Sequence, residues 1–149
     1  MPTIPRLIFL AVCACAPLLV HAGPLDERAG EAHLKAVADG NVEALMSAYG
    51  DAPTMDWVGG PLDGRYRGSD AIREVWKKFA ALNDGQPRTL QRSAITQSGN
   101  PKGVTLTVNA EYVGKTTMRV HHVLVYRDTR LSSEIWQIDP SAPLTSASP

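Results

Sequence analysis

The sequence predicts an α+β domain in which three helices come first and an antiparallel or mixed sheet packs against them. Apolar residues recur with the helical period of about 3.6 as far as residue 82 and with a period of two after Gly85. Glycine-containing turn signals, such as Asp63-Gly64 and Gly114-Lys115, separate the later segments. Helices followed by a run of neighbouring strands are typical of α+β proteins.

Three segments have the pattern of amphipathic helices. We expect the first from about residue 24 to residue 39, ended by Gly40. Asn41 can cap a short second helix, and Ser69 can cap a third. The apolar faces of the second and third helices consist of Val42, Leu45, Met46 and Tyr49, and of Ile72, Val75, Trp76, Phe79 and Leu82.

The remaining segments have the pattern of strands. Residues 54–58 and 65–67 flank the Asp63-Gly64 turn and predict a short hairpin. Residues 89–97 alternate weakly, whereas 104–112 and 118–126 alternate clearly between apolar and polar side chains. Residues 131–138 form the last predicted strand. Such alternation is typical of antiparallel strands with one face on the core.

The N-terminal residues have the pattern of a secretory signal. Arg6 precedes an apolar run, and Val20-His21-Ala22 follows it as a small-residue cleavage site. We therefore expect cleavage after Ala22, export to the periplasm or medium, and no membrane attachment afterwards. A lipoprotein anchored through Cys13 or Cys15 is the alternative, although Val12 before Cys13 fits a lipidation site poorly.

The composition of the remaining chain excludes several classes of function. Both cysteines lie in the signal segment, so residues 23–149 can form neither disulfides nor thiolate sites. The full chain has a formal net charge of zero, and without Arg6 residues 23–149 have 14 basic and 15 acidic residues. This near-neutral chain has no basic run that would predict binding to nucleic acid. We expect one domain over residues 23–140, followed by a disordered tail over 141–149 that is rich in Pro, Ser and Ala.

Three local motifs, in order, resemble the SnoaL-like group of the nuclear-transport-factor-2-like superfamily. Residues 68–74, GSDAIRE, are similar to the entry of that group's third helix. Residues 123–131 are similar to its strand, polar turn and strand, and residues 133–140, SEIWQIDP, resemble its closing strand. The superfamily includes polyketide cyclases and ketosteroid isomerases.

The resemblance implies a strongly curved sheet that wraps around the helices as a cone with an apolar pocket. It also implies a homodimer through the convex sheet face. The implied activity is cofactor-free proton transfer of the isomerase, cyclase or hydratase and dehydratase type on a small, mostly apolar molecule. The alternative is a non-catalytic ligand-binding or dimerisation module of the cell envelope, because one fold supports many functions.

His122 is the first candidate catalytic residue, since it interrupts an apolar row in its predicted strand. The resemblance places it where ketosteroid isomerases hold a hydrogen-bond donor to the substrate, whereas a core histidine is the alternative. Asp139 could orient His122 or act as a base, or it could simply accept hydrogen bonds at a strand end. Asp56 is a doubtful third candidate, because the isomerase base aligns with Trp57 and a one-residue slip reverses the face.

Several aromatic residues could line the pocket, although core packing is their alternative role. The candidate ligand-binding residues are Tyr49, Trp57, Trp76, Tyr112, Leu124 and Tyr126. Trp136 is expected on the convex face, at the dimer interface. His121 and His122 point to opposite faces of a strand and cannot share an ion, so we expect no metal and no cofactor.

Overall fold

A computed structural model of the chain describes residues 27–145. The predicted signal segment, its cleavage site and both cysteines lie outside these residues, as do the last four residues of the predicted tail. Within residues 27–145, no helix is long and apolar enough to span a bilayer.

Three helices precede most of the sheet. They are α1 (Glu27–Asp39), α2 (Val42–Ala48) and α3 (Ser69–Ala81). Asn41 caps α2 as predicted, because its Oδ1 accepts a hydrogen bond of 3.0 Å from the backbone N–H of Ala44. The predicted cap of α3 is wrong. The cap position is Gly68, whose φ of 82° favours glycine, and Ser69 is already helical.

Seven strands form one curved, mixed sheet. They are β1 (Tyr49–Val58), β2 (Gly64–Arg67), β3 (Thr89–Arg92), β4 (Thr96–Asn100), β5 (Gly103–Val113), β6 (Met118–Arg127) and β7 (Arg130–Ile138). The strand order is β2-β1-β7-β6-β5-β3, with β4 also paired to β5. Only the β1–β7 pairing is parallel among these strands. The predicted fold class, three helices packed on a curved sheet, is confirmed.

Two element boundaries differ from the prediction. Tyr49 begins β1 instead of ending α2, although its side chain is buried as expected. The single strand predicted over residues 89–97 is two strands. Arg92 pairs with Ala110 of β5, and Thr96 pairs with Thr107. Between these two pairs the chain advances by four residues on one side and by only three on β5, so one residue has no partner and the strand pairing is interrupted.

Stacked aromatic rings fill the space under the concave face of the sheet. Trp136 stacks on Trp57 with ring centroids 4.7 Å apart and on Tyr112 with centroids 5.3 Å apart. Trp76 and Phe79 of α3 meet Trp136 edge-on at 5.2 and 5.1 Å. These contacts couple α3 to β1, β5 and β7 through one ring cluster.

The expectation that Trp136 lies on the convex face is wrong, because its side chain is 0% exposed. That prediction assigned Trp136 to the face opposite Asp139 by strand alternation. Asp139 lies beyond the last residue of β7, so the alternation of the strand does not extend to it. A register irregularity between Val125 and Tyr126, opposite the start of β7, further shifts the pattern. Glu134 and Trp136 consequently both face the core.

Part of the segment predicted as a disordered tail contacts the sheet. Ala142 is 2% exposed, and the Asn109 side-chain amide donates a hydrogen bond of 2.9 Å to the carbonyl of Pro143. Arg119 lies 3.5 Å from the Ala142 carbonyl. Residues just after β7 thus cover one region of the convex face.

Replacing Trp136 by alanine should lower the free energy of unfolding by about 3–5 kcal/mol, the usual loss for deleting a fully packed aromatic side chain. Urea denaturation would measure this change. Val58→Ala is the matched control, because Val58 is 45% exposed and should cost much less. A loss no larger than that of the control would contradict the buried position of Trp136.

Candidate functional site

A buried carboxylate lies at the centre of a polar cluster under the sheet. We call this group the Glu134 cluster, and its members are Glu134 of β7, His122 of β6, His33 of α1 and Tyr49 at the start of β1. Antiparallel pairing aligns Leu124 with Glu134 and His122 with Trp136, so His122 and Glu134 are diagonal neighbours on the concave face. His33 reaches the same point from α1, whose neighbouring residues Leu34 and Val37 are fully buried.

Both oxygens of the Glu134 carboxylate have partners. Oε1 accepts a hydrogen bond of 3.1 Å from His33 Nε2, and Oε2 accepts one from the Tyr49 hydroxyl. Trp76 Nε1 donates in turn to the Tyr49 oxygen at 3.1 Å. The nitrogen Nδ1 of His122 lies 3.5 Å from Glu134 Oε1. Helix α1 and strands β1, β6 and β7 are therefore joined through one carboxyl group.

The cluster keeps Glu134 ionised. Burial alone would raise the pKa of the Glu134 carboxyl, but the nearby imidazoles and the hydrogen bonds from His33 and Tyr49 hold it below its usual value. Burial, reinforced by the charge of Glu134, raises the pKa of Tyr49 well above its usual value, so this hydroxyl stays a donor. A buried charge of this kind is tolerated only when such donors surround it.

His122 is neutral in this environment. Burial lowers the pKa of its imidazole to about 3, and His33 adds to that effect, while the charge of Glu134 opposes it. Its Nε2 lies 3.4 Å from the hydroxyl of Tyr112. Burial also raises the pKa of Tyr112 well above the usual value. The tyrosine and the histidine are thus an uncharged pair inside the core.

A cleft of about 330 Å³ opens between α1, α2 and the turn that joins β6 to β7. Small side chains create this space, because five of the residues that line it are alanines: Ala29, Ala32, Ala36, Ala44 and Ala48. His33 and Tyr126 also line it, and both are buried. The cleft therefore leads from the surface to a member of the Glu134 cluster.

Two polar atoms of the cleft residues have no hydrogen-bond partner within residues 27–145. They are Nδ1 of His33 and the hydroxyl oxygen of Tyr126, and both are inaccessible to solvent. Burial, followed by the charge of Glu134, raises the pKa of Tyr126, so its hydroxyl is protonated and can donate. Buried polar groups are normally hydrogen-bonded, so these two atoms are exceptions among the described residues.

The structure brings only one of the three predicted catalytic residues into the Glu134 cluster. His122 is a member of this cluster and is 0% exposed. Asp139 instead accepts hydrogen bonds from the backbone and hydroxyl of Ser141, at 2.9 and 2.6 Å, in the turn after β7. Asp56 pairs with Arg65 at 2.5 Å across the β1–β2 hairpin. Neither aspartate has a hydrogen bond or ion pair with His122.

The six predicted ligand-binding residues are all buried: Tyr49, Trp57, Trp76, Tyr112, Leu124 and Tyr126. Tyr49 belongs to the Glu134 cluster, and Trp76 and Tyr112 contact its members. Trp57 and Leu124 are fully packed in the core. Tyr126 is the one of the six that lines the alanine-rich cleft.

The sequence analysis missed His33 and Glu134. A weak signal existed for each. Glu134 is two residues before Trp136 and so shares its face of β7, and His33 is four residues before Val37 on the inner face of α1. Their contact joins positions 101 residues apart, which no local pattern reveals.

No protein-family model matches the sequence, and no curated protein sequence matches it. Solved structures do match. A nuclear-transport-factor-2-like protein of unknown function from Pseudomonas putida superposes with a TM-score of 0.64 at 15% identity, covering 83% of this chain and 93% of its own.

Two further matches have names that describe an activity. A candidate ketosteroid isomerase from Parabacteroides distasonis has a TM-score of 0.61 at 13% identity, covering 78% of this chain and 89% of its own. The epoxide hydrolase/cyclase-like enzyme SalBIII, with a role in forming the pyran ring of salinomycin, has a TM-score of 0.56 at 17% identity, covering 77% and 91%. The chain therefore has the nuclear-transport-factor-2-like fold, and its resemblance to that superfamily is confirmed at the level of the fold.

Proposed function

We propose that the protein binds a small, mostly apolar molecule in the alanine-lined cleft. The observation that carries this proposal is the combination of a cleft of about 330 Å³ with two buried, unpaired polar atoms on its lining residues. Small-molecule sites are typically concave and mostly apolar, with a few polar groups that fix the orientation of the ligand.

The two polar groups define the chemistry that the ligand should carry. In the neutral form of His33 whose Nε2 donates to Glu134, the opposite nitrogen, Nδ1, is an acceptor. The Tyr126 hydroxyl is a donor. A ligand with a hydroxyl group beside a second oxygen could donate to His33 and accept from Tyr126. Hydroxylated ring compounds and hydroxy ketones have this arrangement.

The packing of the cone favours ligand binding in the cleft over catalysis in the centre of the cone. Trp57, Tyr112 and Trp136 stack across the space where the sequence analysis expected a pocket. His122, the expected donor, is sealed beneath them and is 0% exposed. A ligand-binding role needs only the cleft and polar groups among its lining residues, so we place it ahead of proton transfer.

We also propose that the protein works outside the cytoplasm, as the N-terminal apolar segment and the cleavage pattern ending at Ala22 indicate. The mass of the protein recovered from cell fractions tests this. Export predicts a periplasmic or secreted form that begins at Gly23, whereas a full-length cytoplasmic protein would contradict the proposal.

A bulky side chain in the cleft should block binding. Ala32 lines the cleft and is exposed on α1, so Ala32→Phe can occupy the space without disturbing the core. A thermal-shift screen against steroids, lactones and hydroxylated aromatic polyketides provides the measurement. A ligand at about 100 times its Kd adds roughly 2.7 kcal/mol, which raises Tm by several degrees, and the variant should lose this rise.

The matched control is Ala81→Phe, an exposed alanine on α3 that is not among the cleft residues. It should retain the full ligand-induced shift. Tyr126→Phe should weaken binding about 2- to 10-fold, the usual effect of removing one hydrogen bond. Equal ligand-induced shifts in wild type and Ala32→Phe would refute the cleft as the binding site.

We further propose that a second copy of the chain packs on the convex face. Val123 and Ile135 are directly opposite each other on β6 and β7, half-buried and pointing away from the core, and Val125 follows on the same face. The sheet thus presents a row of β-branched apolar side chains outward, which is typical of a face that pairs with another protein surface.

A charge in this row should separate the two copies. Ile135→Lys places an ammonium group at the centre of the proposed interface, where burying a charge is unfavourable. Sedimentation velocity should show a dimer for wild type and a monomer for the variant. Gln86→Lys, on an exposed loop, is the control and should stay dimeric. A monomeric wild type would disprove the interface.

A further inference from the structure

Three potential metal ligands converge inside the fold. They belong to His33, His122 and Glu134, each of which offers one ligand atom, and these atoms all lie within 4.8 Å of one another. Each comes from a different element, α1, β6 or β7, and each side chain is buried. In the part of the chain that the structure describes, no other group of three such residues converges in this way.

The distances between these atoms fit a shared ion. Glu134 Oε1 is 3.1 Å from His33 Nε2 and 3.5 Å from His122 Nδ1. Ligand atoms about 2.1 Å from a common metal are roughly 3.0 Å apart at octahedral angles and roughly 3.4 Å apart at tetrahedral angles. The cluster therefore has the spacing of a coordination sphere as well as that of a hydrogen-bond network.

One nitrogen of the Glu134 cluster has no hydrogen bond among the described residues. His122 Nδ1 is inaccessible to solvent and has no hydrogen-bond partner within residues 27–145, although it faces Glu134 Oε1. Its other nitrogen, Nε2, lies 3.4 Å from the Tyr112 oxygen, to which it can donate. That tautomer leaves a lone pair on Nδ1 directed into the cluster, and a metal ion would use it.

The residues around the three ligands provide the support that metal sites usually have. Tyr49 donates to Glu134 Oε2, and Trp76 donates to Tyr49, so the carboxylate is held with Oε1 toward the imidazoles. Hydrogen bonds that orient the ligands in this way are a regular feature of metal centres. Two imidazoles and one carboxylate suit transition metals, whereas Ca²⁺ and Mg²⁺ prefer oxygen ligands.

We propose that His33, His122 and Glu134 bind one divalent first-row transition-metal ion, such as Zn²⁺ or Fe²⁺. His33 also lines the alanine-rich cleft. With the ion on Nε2, the ring hydrogen would be on Nδ1, so the metal-bound form would donate to a ligand oxygen instead of accepting from a hydroxyl. The proposal does not depend on the small-molecule function. It departs from the expectation of no metal, which rested on the opposite faces of His121 and His122 and on finding no Asp or His cluster at ligand spacing along the chain. His121 indeed bonds to Asn109, whereas the partners of His122 come from α1 and β7.

Titration of the chelator-treated protein with Co²⁺ tests this site. Cobalt reports an imidazole and carboxylate environment through its visible absorption bands. We expect one equivalent to bind to wild type, and we expect Glu134→Gln and His122→Asn to lose it. The control is His121→Gln, one residue from His122 on the opposite face of β6, which should bind normally. Loss of binding in His121→Gln equal to that in His122→Asn would overturn the site.

A milder variant keeps the test decisive if the buried substitutions do not fold. Tyr49→Phe retains the ring in the core but removes the hydrogen bond to Glu134 Oε2. It should weaken Co²⁺ affinity about 10- to 100-fold, as loss of an orienting partner usually does. Zn²⁺ should also raise the Tm of wild type and His121→Gln. If wild type binds no Co²⁺ and Zn²⁺ leaves its Tm unchanged, the proposal is wrong.

Discussion

The need to satisfy one buried negative charge constrains the whole arrangement of this domain. An isolated carboxylate in a protein interior is strongly unfavourable, so Glu134 is compatible with the fold only where donors surround it. Those donors come from the first helix and the first strand, and the neighbouring imidazole comes from the sixth strand. Removing one partner from such a buried pair typically costs about 3–5 kcal/mol, because the remaining charge is left uncompensated.

The distribution of side-chain size decides where the molecule has room for a ligand. Large rings fill the centre of the cone, where Trp57, Trp76 and Trp136 meet in one cluster. Alanines on the facing sides of α1 and α2 leave space near the β6–β7 turn instead. The placement of aromatic and small side chains thus decides where this topology leaves open space.

The sequence predicted the elements better than it predicted their contacts. Period-two alternation identified β5 and β6, and the apolar row interrupted by His122 correctly marked a polar group in the core. The break between β3 and β4 escaped prediction because it depends on the register with β5. Glu134 escaped because a glutamate between serine and isoleucine resembles an exposed strand residue, and only the distant His33 and Tyr49 make its burial possible.

The parallel pairing of β1 with β7 has a consequence for the order in which the chain can fold. His33 and Tyr49 are near the start of the described chain and Glu134 is near its end, so the charged centre cannot form until almost the whole sequence is present. Contacts between such distant positions slow folding, because a long loop must close before they stabilise it. If the chain emerges N-terminus first, α1 and β1 therefore lack part of their core until β7 inserts between β1 and β6. During synthesis such a chain stays loosely folded until β7 has been made and can pair with β1 and β6.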